Sequence, residues 1–218
     1  MFSCWVVLRF SCWEADVKGN ELVWRAIADA ALQDERRWKN YGDLAYKAGA
    51  PASTAQLACR KLIDIGAIRP LPRGGFSTVS PEKVLTVLCA WRNLQRDQIA
   101  WTTRAGAERA ASMDPSCAVG GAEAAIFHLG GKNTVADIST RILYVSHPEP
   151  LAPLPEGDEV LILRMDRRAA LDWDGYSSPA QTYADLFASP GWQASEFRYA
   201  MRDKLFAGRD WDQKVLVK

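Results

Sequence analysis

The sequence predicts an α+β chain in two parts: a helix-turn-helix unit closed by a β-hairpin, then a mixed α+β domain. Three observations predict it. Two short amphipathic stretches meet at the turn that begins with Gly49, and Pro72-Arg73-Gly74-Gly75 separates two short β-prone segments. Beyond residue 96 helical and strand patterns mix while the charge changes sign. Helix, turn, helix, hairpin is the layout of a winged helix. The expected domains are therefore 1–96, a winged-helix domain with an N-terminal strand, and 97–218, an α+β domain of effector type.

The elements follow in order. Phe2, Cys4, Val6, Leu8, Phe10 and Cys12 alternate with the residues between them, which predicts a strand over 2–13. Gly19-Asn20 is expected to break it, with Asn20 capping a helix that carries Val23, Ala26, Ile27 and Ala30 on one side. The cluster Arg36-Arg37-Trp38-Lys39 marks its end. A short helix over 43–48 stops at Gly49, a residue suited to a left-handed cap. Ser53 with Gln56 reads as a capping box opening a helix over 53–65, whose apolar stripe is Ala55, Ala58, Cys59, Leu62 and Ile65. Thr54, Gln56, Leu57, Arg60, Lys61 and Asp64 are expected to face away. Ala67-Ile68-Arg69 and Phe76-Ser77-Thr78-Val79 then read as a hairpin. Ser80-Pro81 starts a further helix to about residue 96, broadly apolar through Trp91 and Leu94.

In the second part, helices are expected over 103–112 and 121–129 and strands over 141–145 and 159–165. A proline-rich connection, 147–155, joins those strands. Ser178-Pro179 caps a helix through Phe187, and 192–205 forms the last strong one.

With 48% hydrophobic and 24% charged residues, the 218-residue chain has the balance of a globular protein able to build its own core. It lacks a run long enough for a membrane helix, and Arg9, Glu14 and Asp16 interrupt the apolar start, so no signal peptide is expected. The expected location is the cytoplasm. Five cysteines with no CxxC pair suit reduced, structural thiols, and two histidines do not complete a zinc site. A Cys117–His128 nucleophile pair lacks any surrounding motif. The net charge of +1 hides a split: residues 1–96 carry 14 basic against 9 acidic side chains, and residues 97–218 carry 13 against 17. Such a split suits one half meeting a polyanion, or ordinary charge scatter.

A winged helix reads double-stranded DNA by laying one helix in the major groove, where each base pair shows a distinct donor and acceptor pattern. Gln56 suits adenine and Arg60 suits guanine, while Ser53, Thr54 and Lys61 suit phosphates. Arg69, Arg73 and Gly74 belong to the wing, and Arg36, Arg37 and Lys39 add charge before the second helix. The competing interpretation is a winged helix used as a protein-interaction adaptor, with those cations merely solvated.

Enzyme signatures fail. Gly130-Gly131-Lys132-Asn133-Thr134 resembles the end of a phosphate-binding loop, but Ile126 stands where the first glycine belongs and Asn133 where Ser or Thr belongs. Asp172/Asp174 and Asp210/Asp212 have the Asp-x-Asp spacing of metal-dependent phosphoryl-transfer sites, which keeps a nucleotidyltransferase or nuclease accessory as the alternative. Gly175 after the first pair makes a turn the simpler explanation. No catalytic residue, metal ligand or cofactor site is assigned. Of nine tryptophans, Trp24, Trp91, Trp173 and Trp192 are expected in the core, and Trp5 and Trp13 share a strand face with Arg9.

The run Tyr176-Ser177-Ser178-Pro179-Ala180-Gln181-Thr182-Tyr183-Ala184-Asp185-Leu186 resembles the Ser-Pro-x-Gln-x-Tyr-x-Asp-Leu segment of AbiEi-type antitoxins, regulators from type IV toxin–antitoxin systems. The order of elements over about residues 40–205 is similar too. The resemblance implies an autorepressor that binds inverted repeats at its own promoter, a target suited to a homodimer. It also implies functional pairing with a nucleotidyltransferase-like toxin and no enzymatic activity of its own. Its DNA-reading positions would be those named between Ser53 and Lys61. The N-terminal strand departs from the pattern.

Overall fold

The computed structural model describes residues 11–131, 133, 141–146 and 154–206. It is a mixed α+β structure with two small sheets. The described residues up to Leu88 form one compact unit and those from Cys89 onward a second. The division falls inside a helix, before Cys89 rather than after Arg96.

The first unit runs α1 (Ser11–Leu32), β1 (Arg37–Trp38), α2 (Tyr41–Ala48), α3 (Ala52–Asp64), β2 (Ile68–Pro70), β3 (Phe76–Thr78) and the start of α4 (Pro81–Trp91). Its opening corrects the sequence expectation. Residues 2–10 of the expected strand lie outside the described residues, but Ser11, Cys12 and Trp13 begin a helix, and Gly19-Asn20 does not interrupt it. The glycine serves close packing instead: a Cβ on Gly19 would stand 2.6 Å from Thr54 Cγ2. Beyond it Val23, Trp24, Ile27, Ala28, Ala30 and Ala31 are buried at helical spacing.

Helix α2 is capped at both ends by its own sequence. Asn40 accepts from the Asp43 amide at 2.8 Å, and Gly49 takes φ 67° after the last turn. Helix α3 starts one residue earlier than expected, with Pro51 at its N-cap and no side-chain cap bond, so the Ser53–Gln56 box does not form. Ala55, Ala58, Cys59 and Leu62 bury as the spacing required, whereas Ile65 lies exposed beyond the helix. Trp24 Nε1 donates to the Ala58 carbonyl at 3.2 Å and ties α1 to α3. The strands form one antiparallel sheet in the order β1-β3-β2, its inner side held by Trp38, Phe76 and Ile68.

The second unit adds α5 (Leu94–Asp97), β4 (Gln98–Thr102), α6 (Arg104–Met113), β5 (Ala118–Gly120), α7 (Gly121–His128), β6 (Arg141–Val145), β7 (Val160–Arg164), α8 (Arg167–Asp172), α9 (Pro179–Ala188) and α10 (Trp192–Met201). A π-helical turn, Arg202–Phe206, follows α10. Its sheet runs β4-β7-β6-β5, with β6 and β7 parallel and the outer pairings antiparallel. Both faces of the central pair are buried: Leu143, Val145, Val160 and Ile162 meet α6, and Ile142, Tyr144, Leu161 and Leu163 pack with Met165 and Ala169. That is why these strands read as continuous apolar runs rather than alternations. A third cluster joins α7, α9 and α10 through Ala125, Leu186 and Phe197. Trp91 and Trp192, expected in the core, are 42% and 63% exposed, because their helices bury the opposite sides.

Candidate nucleic-acid interface

The exposed side of α3 is a stripe of Ser53, Gln56, Leu57, Arg60, Lys61 and Asp64, which helical spacing places on one face. Leu57, half exposed at its centre, was not singled out as a contact residue; an apolar side chain there suits a thymine methyl. Thr54 is not part of this face. It is only 8% exposed and packs against α1 at Gly19, so it offers nothing to a phosphate. Lys61 stays exposed while its ammonium lies 5.9 Å from the centre of the Trp24 ring. The end of α3 is finished by Lys83, whose ammonium donates to the Ile65 carbonyl at 2.8 Å.

The β2–β3 turn is built by Pro72 and two glycines. The Gly74 amide donates to the Leu71 carbonyl, and the Leu71 amide to the Gly75 carbonyl, each at 3.0 Å. Gly74 and Gly75 have φ 88° and 75°, and a Cβ on Gly75 would collide with the Trp38 carbonyl. Arg73 and Gly74 are thereby held exposed at the tip. Arg36 is half-buried and its carbonyl accepts from the Thr78 amide; Arg37 and Lys39 on either side of Trp38 are exposed. Among the described residues none of Arg37, Lys39, Arg60, Arg69 and Arg73 forms an ion pair.

The structure brings two of the expected residues into register. Arg37 lies opposite Ser77 on β3, and Ser77 lies opposite Arg69 on β2. Strand β1 is too short to show a period, so neither it nor Ser77 was visible in the sequence as part of a site.

The residues that carry the family resemblance lie elsewhere, inside the second unit. Ser178 caps α9, and Gln181 and Asp185 point into a buried polar network. Arg92 donates to Asp185 through Nε at 2.7 Å, to Asp97 through Nη1 at 2.6 Å and to the Tyr144 hydroxyl through Nη2 at 2.9 Å. Tyr144 in turn donates to Asp185 at 2.6 Å, and Gln181 donates to both. Burial opposes the charge on Arg92, but Tyr144, Asp185 and Asp97 outweigh it and hold the guanidinium firmly protonated. Burial likewise drives the Tyr144 hydroxyl well above the ordinary tyrosine range, against the pull of Arg92. The run is thus an internal clasp rather than a contact surface.

The other chemical candidates have ordinary local roles. Asp172 closes an ion pair with Arg168 at 2.7 Å, and Asp174 is exposed beside Gly175 at φ 73°. His128 Nε2 lies 2.8 Å from the Ser177 carbonyl, and burial followed by the charge of Asp114 raises the Cys117 thiol. Gly130 and Gly131, at φ 81° and 80°, form the turn after α7. Asp210, Asp212, Lys132 and Thr134 lie outside the described residues. No group of metal-ligating side chains occurs among the described residues, nor a helix long and apolar enough to cross a membrane. Comparison with family models, curated proteins and solved structures gives no match to this chain.

Proposed function

We propose that this chain is a sequence-specific DNA-binding transcriptional regulator acting on its own promoter. In this proposal the first unit is a winged helix, with α3 as the recognition helix and the β2–β3 hairpin as the wing. The observation that carries the reading is the exposed side of α3, where Ser53, Gln56, Arg60 and Lys61 stand on a helix held from behind by α1 and α2, followed directly by a hairpin with Arg73 at its tip. Side chains of these types on one rigid helix are those that read base edges and hold phosphates.

The resemblance of 176–186 to AbiEi-type antitoxins extends the proposal to the antitoxin of a type IV toxin–antitoxin system, in functional partnership with a nucleotidyltransferase-like toxin. Binding to inverted repeats as a homodimer, cytoplasmic location and the lack of a catalytic role belong to the same proposal.

Fluorescence anisotropy with duplex DNA from upstream of the gene tests it. Counterion release makes the affinity fall steeply as salt rises. Undetectable or salt-independent binding by the full chain would refute DNA binding. A neighbouring reading frame for a nucleotidyltransferase would support the toxin–antitoxin assignment.

A further inference from the structure

We infer that the outer face of the three-stranded sheet is a second phosphate-contacting surface, separate from α3 and from the hairpin tip, that holds the backbone of duplex DNA without reading its bases. The inference rests on the DNA-binding reading and assigns a new surface to it.

The strand register carries the argument. Arg37 pairs with Ser77, and Ser77 pairs with Arg69, across neighbouring strands. Directly opposed residues project from the same face of a sheet, so the three side chains make one row across β1, β3 and β2. The neighbouring row fixes which face is outward. Trp38 opposes Phe76, both are buried, and their rings stack at 6.2 Å. Arg37 and Arg69 are exposed, Ser77 is half-buried, and neither arginine has a carboxylate partner among the described residues.

Two strand spacings set the backbones of the two arginines about 10 Å apart. From that base the two guanidiniums can each reach a different phosphate of the backbone, and the Ser77 hydroxyl between them adds a neutral donor. The hydrogen-bonded strands fix the spacing in advance, so the row needs no loop ordering when it binds. Contacts of this kind set position and affinity but carry no sequence information.

Salt titration of DNA binding by the full chain tests the assignment. Each phosphate neutralised contributes about 0.9 to the slope of log affinity against log salt. The Arg37→Gln/Arg69→Gln double variant is expected to lower the slope by about 1.8, equally on upstream DNA and on a scrambled duplex of the same composition. The ratio of the two affinities stays unchanged. Ser77→Asp, which sets a carboxylate between the guanidiniums, is expected to lower the slope in the same way while leaving the melting profile near that of the parent. A parent chain that binds DNA and a double variant with an unaltered slope would overturn the sheet-face assignment alone. A parent that binds neither duplex would overturn the DNA reading and this assignment with it.

Discussion

Arg92 and Asp185, 93 residues apart, form a fully buried ion pair in which the guanidinium Nε stands 2.7 Å from the carboxylate. The pair fastens the turn after α4 to α9, and Tyr144 and Gln181 bond the same carboxylate. Removing one member leaves the other short of a partner in the core: without Asp185 the Arg92 guanidinium keeps Asp97 and the Tyr144 hydroxyl. Asp185→Leu is expected to destabilise the second unit by about 3–5 kcal/mol, while Arg92→Met/Asp185→Leu together costs less than the single change. Urea unfolding of the parent, the Arg92→Met and Asp185→Leu singles and the double variant checks this. A double variant as damaged as the sum of the singles would show that the hydrogen bonds, rather than the charge left short of a partner, dominate.

Specificity is expected to reside in α3. Arg60→Ala should cost about 1–3 kcal/mol on upstream DNA and flatten the preference over scrambled DNA, the scale of a bidentate base contact. Arg73→Ala at the hairpin tip should weaken both duplexes alike. Competition assays separate the cases; equal losses for Arg60→Ala on both duplexes would make Arg60 a phosphate clamp.

The α1–α3 contact gives a change of sign. Gly19→Ala drives a methyl to 2.6 Å from Thr54 Cγ2, an overpacking worth about 1–3 kcal/mol of stability. In a Thr54→Ser background that methyl has gone, and the same substitution should become neutral or stabilising by up to about 1 kcal/mol, since alanine favours helix over glycine. Thermal melts of the four proteins check it. Independent, additive effects would mean that Thr54 does not set the spacing.

Local signals were legible and long-range pairings were not. The caps at Gly49 and Ser178-Pro179, the apolar stripe of α3 as far as Leu62 and the runs that became β6 and β7 all act over a few residues and read correctly, whereas Ile65 is exposed and the equally local Ser53–Gln56 box does not form. The opening failed because a glycine inside a helix looks like a break until its neighbour is known. Gly19 is there for Thr54, which lies 35 positions away. Thr54 misread as surface for the same reason: its helical position is peripheral to the stripe, and only α1 covers it. Strand β1 consists of two residues and exists because β3 pairs with it, so the Arg37–Ser77–Arg69 row could not be seen in advance. Likewise Gln181 and Asp185 read as polar helix residues until Arg92 and Tyr144 are placed beside them.

Asp114 gives a pH dependence. Burial alone would raise its pKa, but bonds from Ser116 and from the Ser146 amide and hydroxyl lower it from 3.8 to about 2. A carboxylate whose folded pKa is depressed adds stability that is complete above its unfolded pKa and is lost as pH falls through the folded one. The stability gap between the parent and Asp114→Asn should therefore shrink by about 2 kcal/mol between roughly pH 5 and pH 2. Denaturant midpoints across that range measure it. A gap independent of pH would show that the carboxylate is not selectively held in its charged form.

Asp172 and Asp174 separate the regulator from an enzyme. If these carboxylates held a catalytic metal, their removal would abolish an activity and leave the fold intact, because such groups bind the ion rather than the core. Their surroundings point to a local role. Asp172 pairs with Arg168 one helical turn away, both partly exposed, and Asp174 lies exposed beside the left-handed Gly175. Exposed pairs at that spacing contribute about 0.3–0.5 kcal/mol. Asp172→Asn should accordingly cost no more than about 0.5 kcal/mol, and Asp174→Asn still less, with no change in DNA affinity. The purified chain, incubated with labelled nucleoside triphosphates, magnesium or manganese, and RNA or protein acceptors, should incorporate no label. Metal-dependent incorporation that vanishes in Asp172→Asn would replace the regulator by a nucleotidyltransferase.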